Sequence, residues 1–295
     1  MTSGGPVGLC QRSITGSRLR CFYLPRRQAI LAGLLLAREA QQRVDLVELS
    51  NPLARRHPWE QIRFQFFLRV LAGSGLLENG ETALDVGAGD AWFAEQLASR
   101  SAVRRIVCWD TAYSPEFLAT RRLHEPLRVE LTAERPAGRF DLLLLLDVLE
   151  HVNDADLFLA SLVRDNLVAT GYALISVPAC PSLFSSHDVN LRHYRRYSPA
   201  SAAALVRNSG LEIVRSAGLF HSLGLLRATQ AAWERATGRS SSSSTLMWNA
   251  APPLTMLVQA ILAADGCLSL VESRLGWTLP GLSWWALCRK ASRQP

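Results

Sequence analysis

The spacing of hydrophobic and polar positions changes repeatedly along the chain, and each change predicts a new element. Apolar residues recurring every three or four positions predict a helix over 57–75, with Ile62, Phe66 and Val70 on one face. After it, short and almost continuous apolar runs alternate with segments of helical period. The predicted strands cover 82–87, 103–110, 127–131, 140–148, 171–178, 211–220 and 281–291, and the predicted helices between them cover 91–100, 115–123, 154–167 and 198–210.

Strands that are apolar on both faces and alternate with helices indicate a mainly parallel sheet covered on both sides. The predicted fold class is therefore a doubly wound α/β fold, which binds ligands at the carboxyl ends of its strands. From His221 to Pro280 the alternation stops, and two helix-like pieces flank the Ser-rich segment Gly238–Thr245. The predicted organisation is an N-terminal extension, partly disordered or helical, over 1–54, the main α/β domain over 55–220, a helical cap insertion over 221–280, and the last strand with its tail over 281–295.

Two apolar runs raise the question of a membrane segment. The run Ala29–Ala37 is followed at once by Arg38 and Glu39, which favours a short helix over a signal sequence. The run Leu254–Ala264 falls short of the roughly 20 apolar residues that a spanning helix needs. Neither predicts a transmembrane helix, and two interpretations of the insertion stay open: ordinary core packing, or a cap that shields a lipophilic molecule or rests on a membrane surface.

The amino-acid composition limits the kinds of molecule that the protein is expected to bind. With 48% hydrophobic and 19% charged residues the chain is globular, and its net charge of +7 favours anionic partners. It has no long Lys/Arg block and no nucleic-acid-binding motif, so nucleic acid is not expected.

The cysteines are scattered, without C-x-x-C spacing and without a Cys/His grouping typical of zinc sites. This pattern predicts reduced thiols in a cytoplasmic protein and no metal site.

The segment LDVGAGDAWF (84–93) is the first candidate for a ligand-binding site. Gly87 and Gly89 lie between a predicted strand and a predicted helix, where a nucleotide-binding loop is expected. A dinucleotide fingerprint needs glycine at position 92, which is Trp92 here, so a nicotinamide-dependent oxidoreductase is disfavoured. Asp110 ends the next strand, where a carboxylate can accept both ribose hydroxyls. A sharp turn at the glycines and a helix cap at Asp110 are the alternatives.

The loop resembles the first motif of class I S-adenosylmethionine-dependent methyltransferases, an acidic residue followed by G-x-G-x-G. Asp85, Gly87 and Gly89 match, and Ala91 stands at the third glycine. The resemblance implies a seven-stranded, Rossmann-like sheet, methyltransferase activity and S-adenosylmethionine as cofactor. Asp85 would attract the ammonium group of the cofactor, directly or through water. The usual acidic contact to the adenine is unassigned.

The segment Phe140–Asp154 is similar to the fourth-strand motif of small-molecule methyltransferases, including those of quinone biosynthesis. The resemblance places Asp147 among the cofactor-binding residues and His151, with Glu150, beside the site of methyl transfer. Solvated side chains at the start of a helix are the alternative for Glu150 and His151.

The stretch after the fifth strand, SHDVNLRHYRRYSP, is similar to that of a bacterial subgroup of these enzymes, and the likeness extends from Arg56 to Lys290. Its rings and guanidinium groups suit an anionic or hydroxylated substrate; a solvated loop is the alternative. The resemblance implies a small-molecule acceptor, methylated on a hydroxyl or carboxyl oxygen. If the apolar insertion is a functional cap, a lipid-linked acceptor and peripheral membrane contact through the insertion are expected. A non-catalytic binding protein at a membrane is the competing hypothesis. The catalytic candidates are His193, His151 and His187, and the substrate-binding candidates are Arg195, Arg196 and Tyr197.

Overall fold

The computed structural model describes residues 56–78, 81–122, 128–237, 248 and 250–291, together with the backbone of two short strands near the N-terminus. The chain divides into two compact units, 1–52 and 53–295. In the first unit, β1 (Val7–Leu9) pairs antiparallel with β2 (Phe22–Leu24). The helix predicted over Ala29–Ala37 lies outside the described residues.

The second unit contains a seven-stranded sheet in the order β5-β4-β3-β6-β7-β9-β8. All neighbouring strands are parallel except β9, which runs antiparallel to both β7 and β8. This confirms the mainly parallel sheet predicted from the apolar runs. The strands are β3 (Thr82–Val86), β4 (Arg105–Trp109), β5 (Val129–Thr132), β6 (Phe140–Leu146), β7 (Leu167–Pro178), β8 (Leu211–Leu219) and β9 (Ser283–Lys290).

Helices cover both faces of this sheet, as a doubly wound fold requires. One hydrophobic core includes buried residues of α1, α2 and α8, and the other includes those of α4 and α6. The helices are α1 (Pro58–Ala72), α2 (Trp92–Arg100), α3 (Pro115–Arg122), α4 (Ala155–Asn166), α5 (Ser186–Asn190), α6 (Pro199–Asn208), α7 (His221–Thr237) and α8 (Pro252–Leu275).

The start of α1 is determined locally by its capping residues. Pro58 occupies the first turn, the His57 ring accepts a hydrogen bond from the Trp59 N–H at 3.3 Å, and Glu60 closes a capping box. Farther along, the Phe66 ring meets the Trp285 ring of β9 at 5.2 Å in an edge-to-face arrangement. The helix is thereby fixed on one face of the sheet.

The insertion before the last strand is helical, as predicted, but α8 is longer than its apolar run suggested. It continues through Asp265 and Gly266 to Leu275, giving 24 residues with a mean hydropathy of 1.8 over its most apolar window. Within the described part of the chain it is the one helix that satisfies the length and composition of a membrane span. The prediction that this segment is too short was therefore wrong, because a few polar residues interrupt the apolar run without ending the helix.

The buried face of α8 is formed by Leu262 and by small and polar residues. A Cβ on Gly266 would meet the Phe66 ring at 3.2 Å, and the Ser269 hydroxyl accepts a hydrogen bond from the Trp285 indole N–H at 2.8 Å. Only 17% of the most apolar window is buried. Its large apolar side chains are instead mostly on the exposed surface: Leu254, Met256, Leu257, Ile261, Leu268, Val271 and Leu275.

Candidate active site

The loop after β3 brings the backbone close to a neighbouring segment and leaves an open space beside it. Gly87 and Gly89 adopt left-handed conformations, with φ of +65° and +54°. A Cβ on Gly87 would lie 2.9 Å from Cγ2 of Val148, whereas a Cβ on Gly89 would meet nothing within 4 Å. A ligand can therefore approach the backbone at Gly89 without a side chain in the way.

Asp110 lies against this loop. Its Oδ2 accepts a hydrogen bond from the Gly89 N–H at 2.9 Å, and its Oδ1 accepts one from the Ala112 N–H at 2.8 Å. The helix that follows begins only at Pro115, so Asp110 does not cap it. The structure thus brings Asp110 and the glycines together, and the assignment of Asp110 to the ribose hydroxyls stays a prediction.

Asp85 is the buried acidic group beneath the loop. Burial, reinforced by the negative charge of Asp110 and opposed by Arg63, raises the pKa of Asp85 from 3.8 to about 7. The side chain is therefore close to the midpoint of its titration at neutral pH. A cationic ligand nearby would favour its charged form.

Asp147 follows β6 and is held in place by two partners. It adopts a left-handed conformation with φ of +61°. Its Oδ2 forms an ion pair with the Arg63 guanidinium at 2.9 Å, and its Oδ1 accepts a hydrogen bond from the Ser176 hydroxyl at 3.0 Å. Arg63 also donates to the Ser176 hydroxyl at 2.8 Å. Arg63 was not predicted, because it lies on α1, remote in sequence from every motif of the site.

Helix α1 and the glycine loop line a half-open cavity of about 140 Å³. At its edge, Arg56 forms ion pairs with Asp90 of the loop and with Glu60, and its guanidinium lies 4.8 Å from the centre of the Trp92 ring. Trp92 therefore contributes to the wall of the cavity. The lining residues are Arg56, Glu60, Arg63, Phe64, Asp85, Gly87, Ala88, Asp90, Trp92, Phe93 and Leu146.

A second group of side chains is organised by the buried carboxylate of Asp188. His193 contacts it through Nδ1 at 3.0 Å, and Arg196 donates to it through Nε at 2.7 Å. Burial alone would raise the pKa of Asp188, but the hydrogen bond with His193 and the charge of Arg196 hold it well below its usual range. Asp188 is therefore ionised and orients the His193 ring.

Glu150 and His151 lie in the turn after β6, next to His193. The backbone N–H of Tyr194 donates to the Glu150 carbonyl at 2.8 Å, which joins the two segments. The His151 and His193 rings are 4.7 Å apart, edge to face. Partial burial and the neighbouring His193 lower the pKa of His151 to about 4. One carboxylate and two imidazoles therefore face one another here.

Glu150 is fully buried, and neither of its carboxylate oxygens has a hydrogen-bond partner among the described residues. Burial, reinforced by the charge of Asp147, raises the pKa of Glu150 well above its usual value.

Three predicted substrate-binding residues make internal contacts. Arg196 also donates to the Ala179 carbonyl at 3.2 Å, Arg195 donates to the Asn153 carbonyl at 2.6 Å, and the Tyr197 hydroxyl donates to the Leu149 carbonyl at 3.1 Å. Their substrate contacts stay predictions.

The third catalytic candidate, His187, is exposed in the first turn of α5. It lies outside the group formed by Glu150, His151 and His193. Its catalytic role also stays a prediction.

The strand order, the antiparallel last strand, the glycine loop and the carboxylate at the end of β4 together define a class I S-adenosylmethionine-dependent methyltransferase. The chain belongs to the family described as "Methyltransferase domain", whose model matches residues 54–216. The cofactor is S-adenosylmethionine, and the open backbone at Gly89 with the adjacent Asp110 carboxylate fits it.

Curated relatives and solved structures agree with this family. The chain is 29% identical over 168 residues to the ubiquinone biosynthesis O-methyltransferase of Pseudomonas paraeruginosa, covering 48% of this chain and 69% of the relative. It is 30% identical over 166 residues to the enzyme of the same name from Xanthomonas euvesicatoria, covering 48% of this chain and 67% of the relative.

Among solved structures, the N-methyltransferase NodS of Bradyrhizobium japonicum, in complex with S-adenosyl-L-homocysteine, matches with a TM-score of 0.50 at 16% identity, covering 85% of this chain and 99% of NodS. A putative sarcosine dimethylglycine methyltransferase from Galdieria sulphuraria also matches with a TM-score of 0.50, at 18% identity, covering 79% of this chain and 85% of that protein. Both likenesses support the fold.

Proposed function

We propose that this enzyme transfers a methyl group to a hydroxyl or carboxyl oxygen of a small-molecule or lipid-linked acceptor. The observation that carries the proposal is the group formed by Glu150, His151 and His193, next to Asp147 at the carboxyl end of β6. A hydroxyl is a weak nucleophile until it loses its proton, so a hydroxyl acceptor needs such a group. The names of the curated relatives, O-methyltransferases of ubiquinone biosynthesis, support the same choice of atom.

Cofactor binding and proton removal are assigned to two neighbouring groups of residues. S-adenosylmethionine, when bound, supplies a methyl group on a positively charged sulfur. Gly87, Gly89 and Asp110 bind and orient the cofactor, and α1 covers one side of the cavity. The histidines beside Asp147 promote loss of the proton of an acceptor hydroxyl.

We further propose that the exposed apolar face of α7 and α8 contacts the cytoplasmic surface of a membrane and admits a lipid-linked acceptor. Leu225 and Leu226 of α7 are 68% and 64% exposed, and Met256 of α8 is 69% exposed. A helix that exposes its large apolar side chains while packing small and polar ones inward is suited to lie in a lipid interface. The net charge of +7 favours anionic lipids.

Cofactor binding and turnover are separated by two variants. Asp110→Ala is expected to abolish binding of S-adenosylmethionine in calorimetric titration, because it removes the carboxylate beside Gly89. His193→Ala is expected to keep that binding and slow turnover. Asp165→Ala, at an exposed aspartate on α4, is the matched control, and NAD is the control ligand. Unchanged turnover in His193→Ala would exclude this histidine from catalysis.

The acceptor atom is determined by offering phenols, carboxylates and amines of similar size and following methylated product by mass spectrometry. We expect methylation of the hydroxyl or carboxyl compounds, with faster turnover when the acceptor carries a lipid tail and vesicles are present. Preferential methylation of amines would overturn the proposed oxygen acceptor while leaving the methyltransferase class intact.

A further inference from the structure

We propose that Glu150, His151 and His193 form a binding site for a divalent metal ion of the zinc type. The sequence predicted no metal site, because these residues are not spaced as a zinc motif and come together only through the fold. The site itself is independent of the acceptor, whereas the role assigned to the ion below rests on the proposed oxygen acceptor.

The geometry suits three-ligand coordination. One ligand atom from each of the three residues lies within 4.8 Å of the others. Ligands at about 2.0–2.2 Å from a tetrahedral zinc ion stand roughly 3.4 Å from one another, so small side-chain rotations suffice to close the site. Two imidazoles and one carboxylate are a donor set that zinc accepts, leaving a fourth position open.

Glu150 supplies the strongest argument. Its carboxylate is fully buried and has no hydrogen-bond partner among the described residues. The nearest cationic groups are already paired, since Arg63 forms an ion pair with Asp147 and Arg196 with Asp188. An unpartnered buried carboxylate is costly. A metal ion would supply the missing partner.

Both histidines are oriented by groups outside the site, as metal-binding histidines usually are. The Nδ1 atom of His193 contacts the Asp188 carboxylate at 3.0 Å, which leaves its Nε2 for a metal. His151 hydrogen-bonds the backbone of Leu191 through one nitrogen, which leaves the other. The backbone hydrogen bond from Tyr194 to Glu150 holds the two segments together.

The ion would have a defined chemical effect at this place. A hydroxyl oxygen bound at the open position shares its lone pair with the cation, which weakens the O–H bond and lowers the pKa of the hydroxyl. The proton passes to water, and the oxygen is left as the stronger nucleophile. The ion is neither oxidised nor reduced.

The test measures metal binding directly. The full-length chain is stripped with a chelator, and zinc is titrated by calorimetry, with cobalt absorption in the visible range as a spectroscopic signature of the coordination. We expect one equivalent bound by the wild type and none by Glu150→Gln or His151→Ala. His187→Ala, which alters a nearby histidine outside the site, is expected to bind one equivalent. Asp188→Asn is expected to bind about 10–100-fold more weakly.

S-adenosylmethionine binding is measured on the same samples, which shows that each variant is folded and separates this proposal from the methyltransferase function. Retained cofactor binding together with lost metal binding in Glu150→Gln and His151→Ala supports the site. Absence of stoichiometric zinc in a wild type that binds the cofactor would overturn it. Equal zinc affinity in the wild type and both ligand variants would overturn it as well.

Discussion

At the scale of single residues, the two glycines of the loop after β3 serve different purposes, and alanine separates them. Because both glycines are left-handed, replacing either one by alanine should lower the free energy of unfolding by about 1–2 kcal/mol. Gly87→Ala should cost more, because its Cβ also meets Val148 at 2.9 Å. Gly89→Ala should mainly weaken cofactor binding, because its Cβ enters open space beside Asp110. Urea unfolding and calorimetric titration measure the two effects.

The control for this pair is Gly75→Ala. Gly75 has a similar φ of +71° and nothing within 4 Å of its would-be Cβ, and it does not line the cavity. Gly75→Ala should therefore show the backbone cost alone and keep cofactor affinity. Equal loss of affinity in Gly75→Ala and Gly89→Ala would mean that the space at Gly89 is not the ligand space.

The titration of Asp85 predicts a pH dependence of cofactor binding. The pKa of Asp85 in the free protein is about 7, so its carboxylate becomes protonated as the pH falls below that value. If the charged form holds the ammonium group, affinity should weaken by up to about tenfold per pH unit below 7 and level off above it. Calorimetry between pH 5.5 and about 8.5 measures this, and Asp85→Asn should remove the dependence that belongs to the protein.

The same shift has a consequence for stability in the absence of cofactor. Because the folded-state pKa of Asp85 exceeds 3.8, ionisation is disfavoured in the folded protein, and the free energy of unfolding should fall as the pH rises from about 4 to 7. Asp85→Asn should reduce that fall. An identical pH profile in the variant would show that Asp85 is not the group responsible.

Site residues that lie within one strand–loop–helix segment could be predicted from the sequence. Site residues that reach the site from a distant part of the chain could not. Asp85, Gly87 and Gly89 follow one another along the chain, so local sequence shows both their type and their place. Arg63 reaches Asp147 only because α1 packs on one face of the sheet. Its sequence neighbourhood shows an amphipathic helix and nothing more.

At the scale of elements, the membrane contact proposed for α8 can be tested on its exposed apolar face. The double variant Met256→Glu, Leu257→Glu should lose co-sedimentation with phosphatidylglycerol vesicles, because two exposed apolar side chains become anionic. Its thermal stability should stay nearly unchanged, since both side chains are on the surface. Vesicle sedimentation and thermal unfolding measure the two properties.

Leu157→Glu is the matched control, because Leu157 is an equally apolar side chain, 74% exposed, on α4. This variant should sediment with vesicles as the wild type does. Wild-type protein that stays in the supernatant at low ionic strength would contradict the membrane proposal. Equal losses in the control and the α8 variant would mean that added negative charge, rather than the position of the face, determines binding.

Strands were easier to predict than the bounds of α8. A buried parallel strand is a short apolar run that ends where the polarity changes, and β3, β4 and β6 all lie within the runs predicted for them. In α8 the polar residues Asp265, Ser269 and Glu272 are inside the helix, and Ser269 and Glu272 are buried in its packed face. A prediction that expects polar residues on the surface therefore places the end of such a helix too early.

At the scale of the whole molecule, the cavity under α1 and the group around Glu150 lie at the same edge of the sheet. Strands β3, β4 and β6 are parallel neighbours, so the segments that follow them meet at their carboxyl ends. Alternation of strands and helices was enough to predict this edge. The antiparallel direction of β9 was not predicted, because periodicity carries no information on strand direction.

The position of β9 also determines when the sheet can be completed during synthesis. This strand lies between β7 and β8 but follows both of them, and both helices of the insertion, along the chain. Until residues 283–290 leave the ribosome, β7 is paired on one side only, with β6, and β8 has no neighbouring strand in the sheet. At that stage α8 also lacks the indole of Trp285 that hydrogen-bonds Ser269. The nascent chain therefore passes through a stage with an open sheet edge and an apolar helix already made. An open strand edge and an exposed apolar helix are the features that make an unfinished chain prone to aggregation.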